Sequence, residues 1–264
     1  MKNKFLLIIS TILLLASFGC KEYQITSTQT SNTKIDSTFV GDDHYESIIS
    51  TYRIGIDSIM KVVINEATNT LTKGSPEGSL GNLCADITYQ QANIWAANQP
   101  DYSGKKVDFA LLNNGGLRAQ VDSGNITIGD IYQLMPFENQ IVILELSGAD
   151  MTDLIDYVKE KSLLSGRKGG VPVSASFEMT IDTLTQKSSC SINEKLFDSR
   201  QTYFVATSDY LANGGDKMTF FSNPINKVDT EIKLRDAFIE FISTEQKFNR
   251  SITGKLDGRI HYAP

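Results

Sequence analysis

The stretch 107-VDFALLNNGGLRA-119 decides how the rest of this chain is read. An apolar run of strand character, Val107 to Leu112, stops at Asn113, Asn114, Gly115 and Gly116, and Arg118 follows almost at once. Glycines let a backbone turn sharply and let a ligand approach closely. An arginine beside such a bend can offer a planar fork of donors to a phosphate, a carboxylate or a sugar. A turn is the plain reading, since Asn-Gly and Gly-Gly are common turn dipeptides; one wall of a binding site is the other.

Two further stretches have the same character: 135-MPFENQ-140 and 210-YLANGGDKM-218. Taken together, the three segments predict a pocket. Phe137 and Tyr210 supply flat faces, and stacking a base on an aromatic ring is worth roughly 1–3 kcal/mol. Asp216 is an acceptor-only carboxylate suited to vicinal ribose hydroxyls, and Arg118 can complement a phosphate or fix a ribose. Asn113 and Asn139 carry donor and acceptor together, as the polar edge of a base requires. Phe137 as a core residue and Asp216 as a turn cap are the alternatives.

Outward from these segments, helices and strands mix without a regular βαβ rhythm, so the expected class is α+β with a mixed β-sheet packed against helices. Apolar residues three or four apart from Ile48 through Tyr52, Ile56, Ile59 and Val63 predict one long amphipathic helix. A second is predicted from Leu80 to Asn98, with Leu80, Leu83, Cys84, Ile87, Ile94 and Trp95 on one face. Strands are expected at 107–112, 140–147, 171–182 and 202–212, and a last helix near 230–245. Ser147 and Asp150 predict a capped helix start after the second of those strands. Cys84 is expected as a buried thiol and Cys190 in a polar loop, with a bond between them left open.

The 264 residues carry a formal net charge of −6, which disfavours a nucleic-acid polymer as partner. Only two histidines occur, His44 and His261, and no paired-His or HExxH pattern. Neither a GxSxG elbow nor a Cys–His nucleophile pattern stands in the sequence, so no catalytic residue is assigned and no metal site is expected in this chain. The amino terminus, Lys2 and Lys4 before an apolar run from Phe5 to Ala16 and small residues ahead of Cys20, predicts a secretory leader over 1–20. Cys20 directly after Gly19 is expected to carry a lipid; an ordinary leader with an unrelated cysteine is the alternative. Ser/Thr-rich residues 21–42 read as a flexible spacer, and 43–264 as the folded part. The expected location is the bacterial cell envelope, the chain anchored to a membrane and facing periplasm or exterior.

"NNGGLR", "PFEN" and "YLANGGD", in this order, resemble the motifs of the carboxy-terminal substrate-binding domain of the 5'-nucleotidase / UDP-sugar hydrolase family. "EGSLGN" at 77–82 and "GGVPVSASFEMTID" at 169–182 are similar to two more of its segments. The likeness spans about residues 45–262. It implies that Phe137 and Tyr210 sandwich a base, that Asp216 binds ribose hydroxyls, and that Arg118 contacts the phosphate–ribose end. Asn113 and Asn139 would touch the base edge or neighbouring polar atoms. Three departures stand out. Pro76 lies about where the family often has an arginine, with only Lys73 near. Tyr210 replaces a phenylalanine. Asn114 stands where a glycine is usual, which a left-handed asparagine would explain.

The family's amino-terminal metallophosphoesterase domain has no counterpart in this sequence, so whether the chain is part of an enzyme is left open. The resemblance implies a nucleotide or nucleoside recognition subunit of a split 5'-nucleotidase-type phosphohydrolase in nucleotide catabolism. The divalent metal pair would then sit only in a separately encoded metallophosphoesterase partner. A stand-alone surface lipoprotein that binds nucleotides or nucleosides without hydrolysis is the alternative, and a scaffold with a degraded pocket the third reading.

Overall fold

The structure, a computed structural model, describes residues 25–36, 39–102, 105–164 and 169–264. The expected leader and Cys20 lie outside the described residues. Two compact units are distinguished, Met1–Ile49 and Ser50–Pro264. In the first, residues 25–36 are exposed and without regular secondary structure. Helix α1 (Asp43–Met60) begins there, with the Asp42 carboxylate accepting the His44 N–H at 2.9 Å, and it runs on into the second unit. It buries none of its side chains. The predicted apolar stripe is present but stands in solvent, and Val63 belongs instead to strand β1 (Val63–Ala67).

Unit Ser50–Pro264 is built around one mixed sheet. Its strands are β2 (Phe109–Ala110), β4 (Gln140–Leu146), β8 (Tyr203–Ser208) and β9 (Asn226–Lys233), in the order β2-β8-β4-β9. Strand β2 runs parallel to β8, pairing Phe109 with Val205, whereas β4 runs antiparallel to β8, from Ile141 opposite Ser208 to Leu146 opposite Tyr203. Side chains of a strand alternate between faces, and here each face has its own core. Ala110, Ile141, Ile143 and Ala206 enter one core, with Leu80, Cys84 and Ile87 of α2 (Ser79–Ala97) and Phe238 and Ile242 of α6 (Leu234–Lys247). Phe109, Val142, Leu144 and Val205 enter the other, with Met151, Leu154 and Val158 of α4 (Gly148–Ser162). Phe177, Met179 and Ile181 of β5 (Phe177–Asp182) complete that second core.

Strand β5 belongs to a second sheet, together with β6 (Ser188–Ile192), β7 (Lys195–Leu196) and β10 (Ile260–Ala263), in the order β10-β5-β6-β7. Strand β1 pairs antiparallel with β3 (Gly124–Thr127), and α3 (Ile128–Leu134) follows directly. Both α3 and α4 start in capping boxes, Thr127 with Asp130 and Ser147 with Asp150, each acid returning a bond to the cap residue's N–H. The predicted α+β class and the Ser147 cap therefore stand.

Several expectations are corrected. The regular ladder of the 107–112 run is only Phe109–Ala110; Leu111 still donates to the Ala206 carbonyl of β8 at 2.9 Å and bridges Val173 besides. Residues 171–176 are not a strand beyond that bridge. Ser208 ends the fourth predicted strand by capping the short helix α5 (Asp209–Ala212), accepting the Leu211 N–H at 3.2 Å. Cys190 is not in a loop: it sits buried in β6, opposite Met179. Cys84 and Cys190 are free thiols in different cores.

Candidate functional site

The three turn segments meet at one end of the central sheet because of strand direction. Parallel neighbours β2 and β8 deliver residues 113–118 and 209–218 at the same edge, and antiparallel β4 starts there, so residues 135–139 arrive at that edge too. Asn113, Arg118, Phe137, Asn139, Tyr210 and Asp216 all line one cleft of about 300 Å³, together with Gly115 and Gly116. Small-molecule sites span about 300–1,000 Å³. The cleft is at the small end of that range, roughly the scale of a nucleoside.

Asp216 stands in its wall. Its Oδ2 accepts from Asn113 Nδ2 at 2.6 Å and its Oδ1 from the Tyr210 hydroxyl at 3.2 Å. A carboxylate oxygen accepts more than one bond, so both oxygens keep capacity toward the cleft. The backbone that presents this acid is left-handed, with φ 52° at Asp216. Its carbonyl accepts from the Tyr157 hydroxyl at 3.0 Å, which ties the turn to α4. Burial, and then the nearby Asp216 charge, push the Tyr157 phenol up to about 12, so it remains a donor at neutral pH.

Gly215 is required by close approach: a Cβ there would stand 2.5 Å from the Tyr210 ring. At Gly116 a Cβ would meet Asn113 Oδ1 at 2.8 Å. Both glycines thus make room for the side chains that line the cleft.

The two aromatic faces are 44 % exposed at Phe137 and 47 % at Tyr210, unlike the buried rings of the cores. The Arg118 guanidinium carbon lies 6.0 Å from the Phe137 ring centroid, and Nη1 donates to the Gly115 carbonyl at 3.2 Å. A second cavity of about 350 Å³ shares the wall formed by Asn113, Gly115 and Asp216, and is lined on its other side by Tyr157, Lys161 and Lys217.

The segments flanking the cleft are braced by groups whose role the sequence did not disclose. Asn114 is not left-handed; its Nδ2 donates to the carbonyls of Gly74, Gly169 and Gly170 at 3.0–3.2 Å, pinning the turn from behind. Lys73 likewise serves the turn, its Nζ donating to the Leu117 carbonyl at 2.8 Å and the Asn114 carbonyl at 3.3 Å. In "EGSLGN", Glu77 accepts from Asn82 Nδ2 at 2.8 Å and from the Gly258 N–H at 2.9 Å, a structural knot rather than a ligand contact. Buried Arg259 binds Asp86, Asp257 and the Val173 carbonyl, joining α2 to the carboxy-terminal segment. A lone arginine in "DGRIH" gives no pattern from which this could be read.

The donor set does not fit a dimetal centre. Among the described residues no group of three or more His, Cys, Asp or Glu is placed to hold a metal ion. The ring nitrogens of His261 already face the Gly258 carbonyl at 2.8 Å and Thr180 Oγ1 at 3.1 Å.

With the geometry in place, comparison with known proteins defines the class. Residues 59–223 match the family described as "5'-nucleotidase, C-terminal domain". The chain belongs to that family. It is 29 % identical over 199 residues to the trifunctional nucleotide phosphoesterase YfkN of Bacillus subtilis, covering 70 % of this chain and 12 % of the relative. It is 23 % identical to the NAD 5'-nucleotidase of Haemophilus influenzae, covering 78 % of this chain and 38 % of the relative. Among solved structures it resembles a 5'-nucleotidase precursor from Thermus thermophilus, with TM-score 0.64 and 22 % identity over 84 % of this chain and 44 % of that one. That likeness shows the fold. The chain therefore spans less than half the length of these relatives, corresponding to their carboxy-terminal domain.

Proposed function

We propose that the cleft recognises a nucleoside unit, the base between Phe137 and Tyr210 and the ribose hydroxyls at Asp216. Arg118 then faces the phosphate-bearing side, and Asn113 and Asn139 offer paired donors and acceptors to the base edge. One observation carries the reading: six side chains from three separate segments, each suited to one part of a nucleoside, line the same small cleft. In this reading the chain is the recognition subunit of a split 5'-nucleotidase-type phosphohydrolase in nucleotide catabolism. Hydrolysis belongs to a separately encoded metallophosphoesterase, which supplies the divalent metals. Binding energy gathered at base and ribose fixes the phosphate for that partner, converting recognition into rate. Anchorage of Cys20 at the cell envelope would raise the effective concentration of two co-tethered partners.

Titration calorimetry of the purified chain with adenosine, AMP and UDP-glucose tests the cleft, and absence of binding by all three rejects it. Phosphate release from AMP by a mixture of this chain and a lone metallophosphoesterase, exceeding that of either alone, tests the split enzyme. Binding without any such enhancement would favour a surface capture lipoprotein.

A further inference from the structure

Phe137 and Asn139 line the cleft, and Glu138 between them does not. Its carboxylate turns the other way and accepts from Lys233 Nζ and Arg235 Nη2, at the junction of β9 and α6. At the same junction the Leu234 N–H donates to the Asn139 carbonyl at 2.9 Å. Three consecutive residues, 233 to 235, thus grip 138 and 139. Pro136, Phe137 and Glu138 form no backbone hydrogen bond of their own among the described residues, so this grip is what fixes the segment.

Arg235 is an unusual residue to find there. Its side chain is 6 % exposed, and its guanidinium carbon lies 4.1 Å from the centroid of the Tyr132 ring on α3. Its Nε has no hydrogen-bond partner, the nearest carboxylate being Asp236 at 3.9 Å. Burying an arginine with one donor unsatisfied costs stability. What the burial achieves is a guanidinium held flat by Tyr132, with its fork aimed at Glu138. Lys233, by contrast, is 40 % exposed and adds a second charge to the same acid.

We propose that Glu138 and Arg235 are a positioning pair for nucleoside binding, which set the aromatic wall of the cleft by holding Phe137 in place from the far side of its own segment. This rests on the nucleoside reading of the cleft. Neither residue touches the ligand. Loss of the pair frees Phe137 and removes stacking, while contacts at Asp216 and Arg118 remain.

The test is a double-mutant cycle on the full chain, with adenosine as the probe and calorimetry as the readout. Glu138→Ala, an exposed truncation that leaves both cores intact, is expected to raise the adenosine Kd about tenfold, and less than about twofold in a Phe137→Ala background. A ligand-free arm uses hydrogen exchange: the Leu234 amide, which donates to the Asn139 carbonyl, exchanges faster in Glu138→Ala than in the wild type, while the amides of β4 do not change. The proposal is overturned if the wild type binds adenosine and Glu138→Ala binds it equally well. It is also overturned if Glu138→Ala loses as much affinity without Phe137 as with it. Should the wild type bind no adenosine, the nucleoside reading fails, and equal exchange at Leu234 in wild type and variant would then dispose of the positioning claim separately.

Discussion

Asn113 and Asp216 are 103 residues apart in the chain, yet the amide of one donates to the carboxylate of the other at 2.6 Å. This bond joins the turn after β2 to the turn after β8 and fixes the acid in the wall of the cleft. It also orients the asparagine: one Nδ2 hydrogen is given to Asp216, and the second hydrogen and Oδ1 remain for other partners.

Asp216→Ala and Phe137→Ala are each expected to weaken adenosine binding by more than about 1 kcal/mol in calorimetry. The first removes the acceptor for ribose, the second one stacking face. Wild-type affinity in both variants would reject this assignment of the cleft.

Gly215→Ala tests the packing of Tyr210 in the cleft wall. Its methyl group must displace the Tyr210 ring, which a Cβ would approach to 2.5 Å. Adenosine affinity is expected to fall by about 1 kcal/mol or more, and the melting temperature to fall with it, because the same Cβ would stand 2.6 Å from the Tyr210 backbone oxygen. An unchanged affinity would show that Tyr210 is not a stacking partner.

Arg259→Ala removes a guanidinium that is 4 % exposed and leaves Asp86 and Asp257 facing each other without it. Truncating one partner of a buried ion pair costs about 3–5 kcal/mol. The two acids are about two-fifths exposed, which places the expectation at the lower end, about 3 kcal/mol. Chemical denaturation measures it, and a loss below about 1 kcal/mol would contradict the role of this knot.

Acid should release the Glu138 clamp. Hydrogen bonds from Lys233 and then Arg235 hold the Glu138 carboxyl down at about 2, below the usual carboxylate range. Because the folded value is the lower one, its stabilising contribution is complete above the unfolded pKa of about 4.3 and is lost as pH falls toward 2. Urea midpoints of wild type and Glu138→Gln should therefore differ at pH 7 and converge between about pH 4 and pH 2. A difference that persists at about pH 2 would rule this linkage out.

Much of the site was legible because its residues stand at abrupt changes of character: an apolar run ending in Asn and Gly, or a Phe and an Asn flanking an acid. Such punctuation is local, and the six residues it picked out share a cleft. The α+β class and the Ser147 cap were legible for the same reason. The bracing groups were not. Arg259, Arg235, Lys73 and Asn114 act through partners distant in sequence, and a lone charged or amide residue carries no period or spacing. The apolar stripe of α1 gave the right helix, but periodicity reports an apolar face and not whether anything covers it. Strand β3 and helix α3 could have been found, since 127-TIGD-130 has the spacing of a capping box.

The central sheet has an apolar core on either side, and this sets a length rule for β4. Removing one residue from it would send Val142 and Leu144 to the α2–α6 layer and Ile143 to the α4 layer, exchanging the occupants of both interiors at once. Removing two would restore the sidedness but draw the Phe137 segment along the strand by about 7 Å, away from Tyr210. The place of the Phe137 segment at the cleft is thus counted out in strand residues.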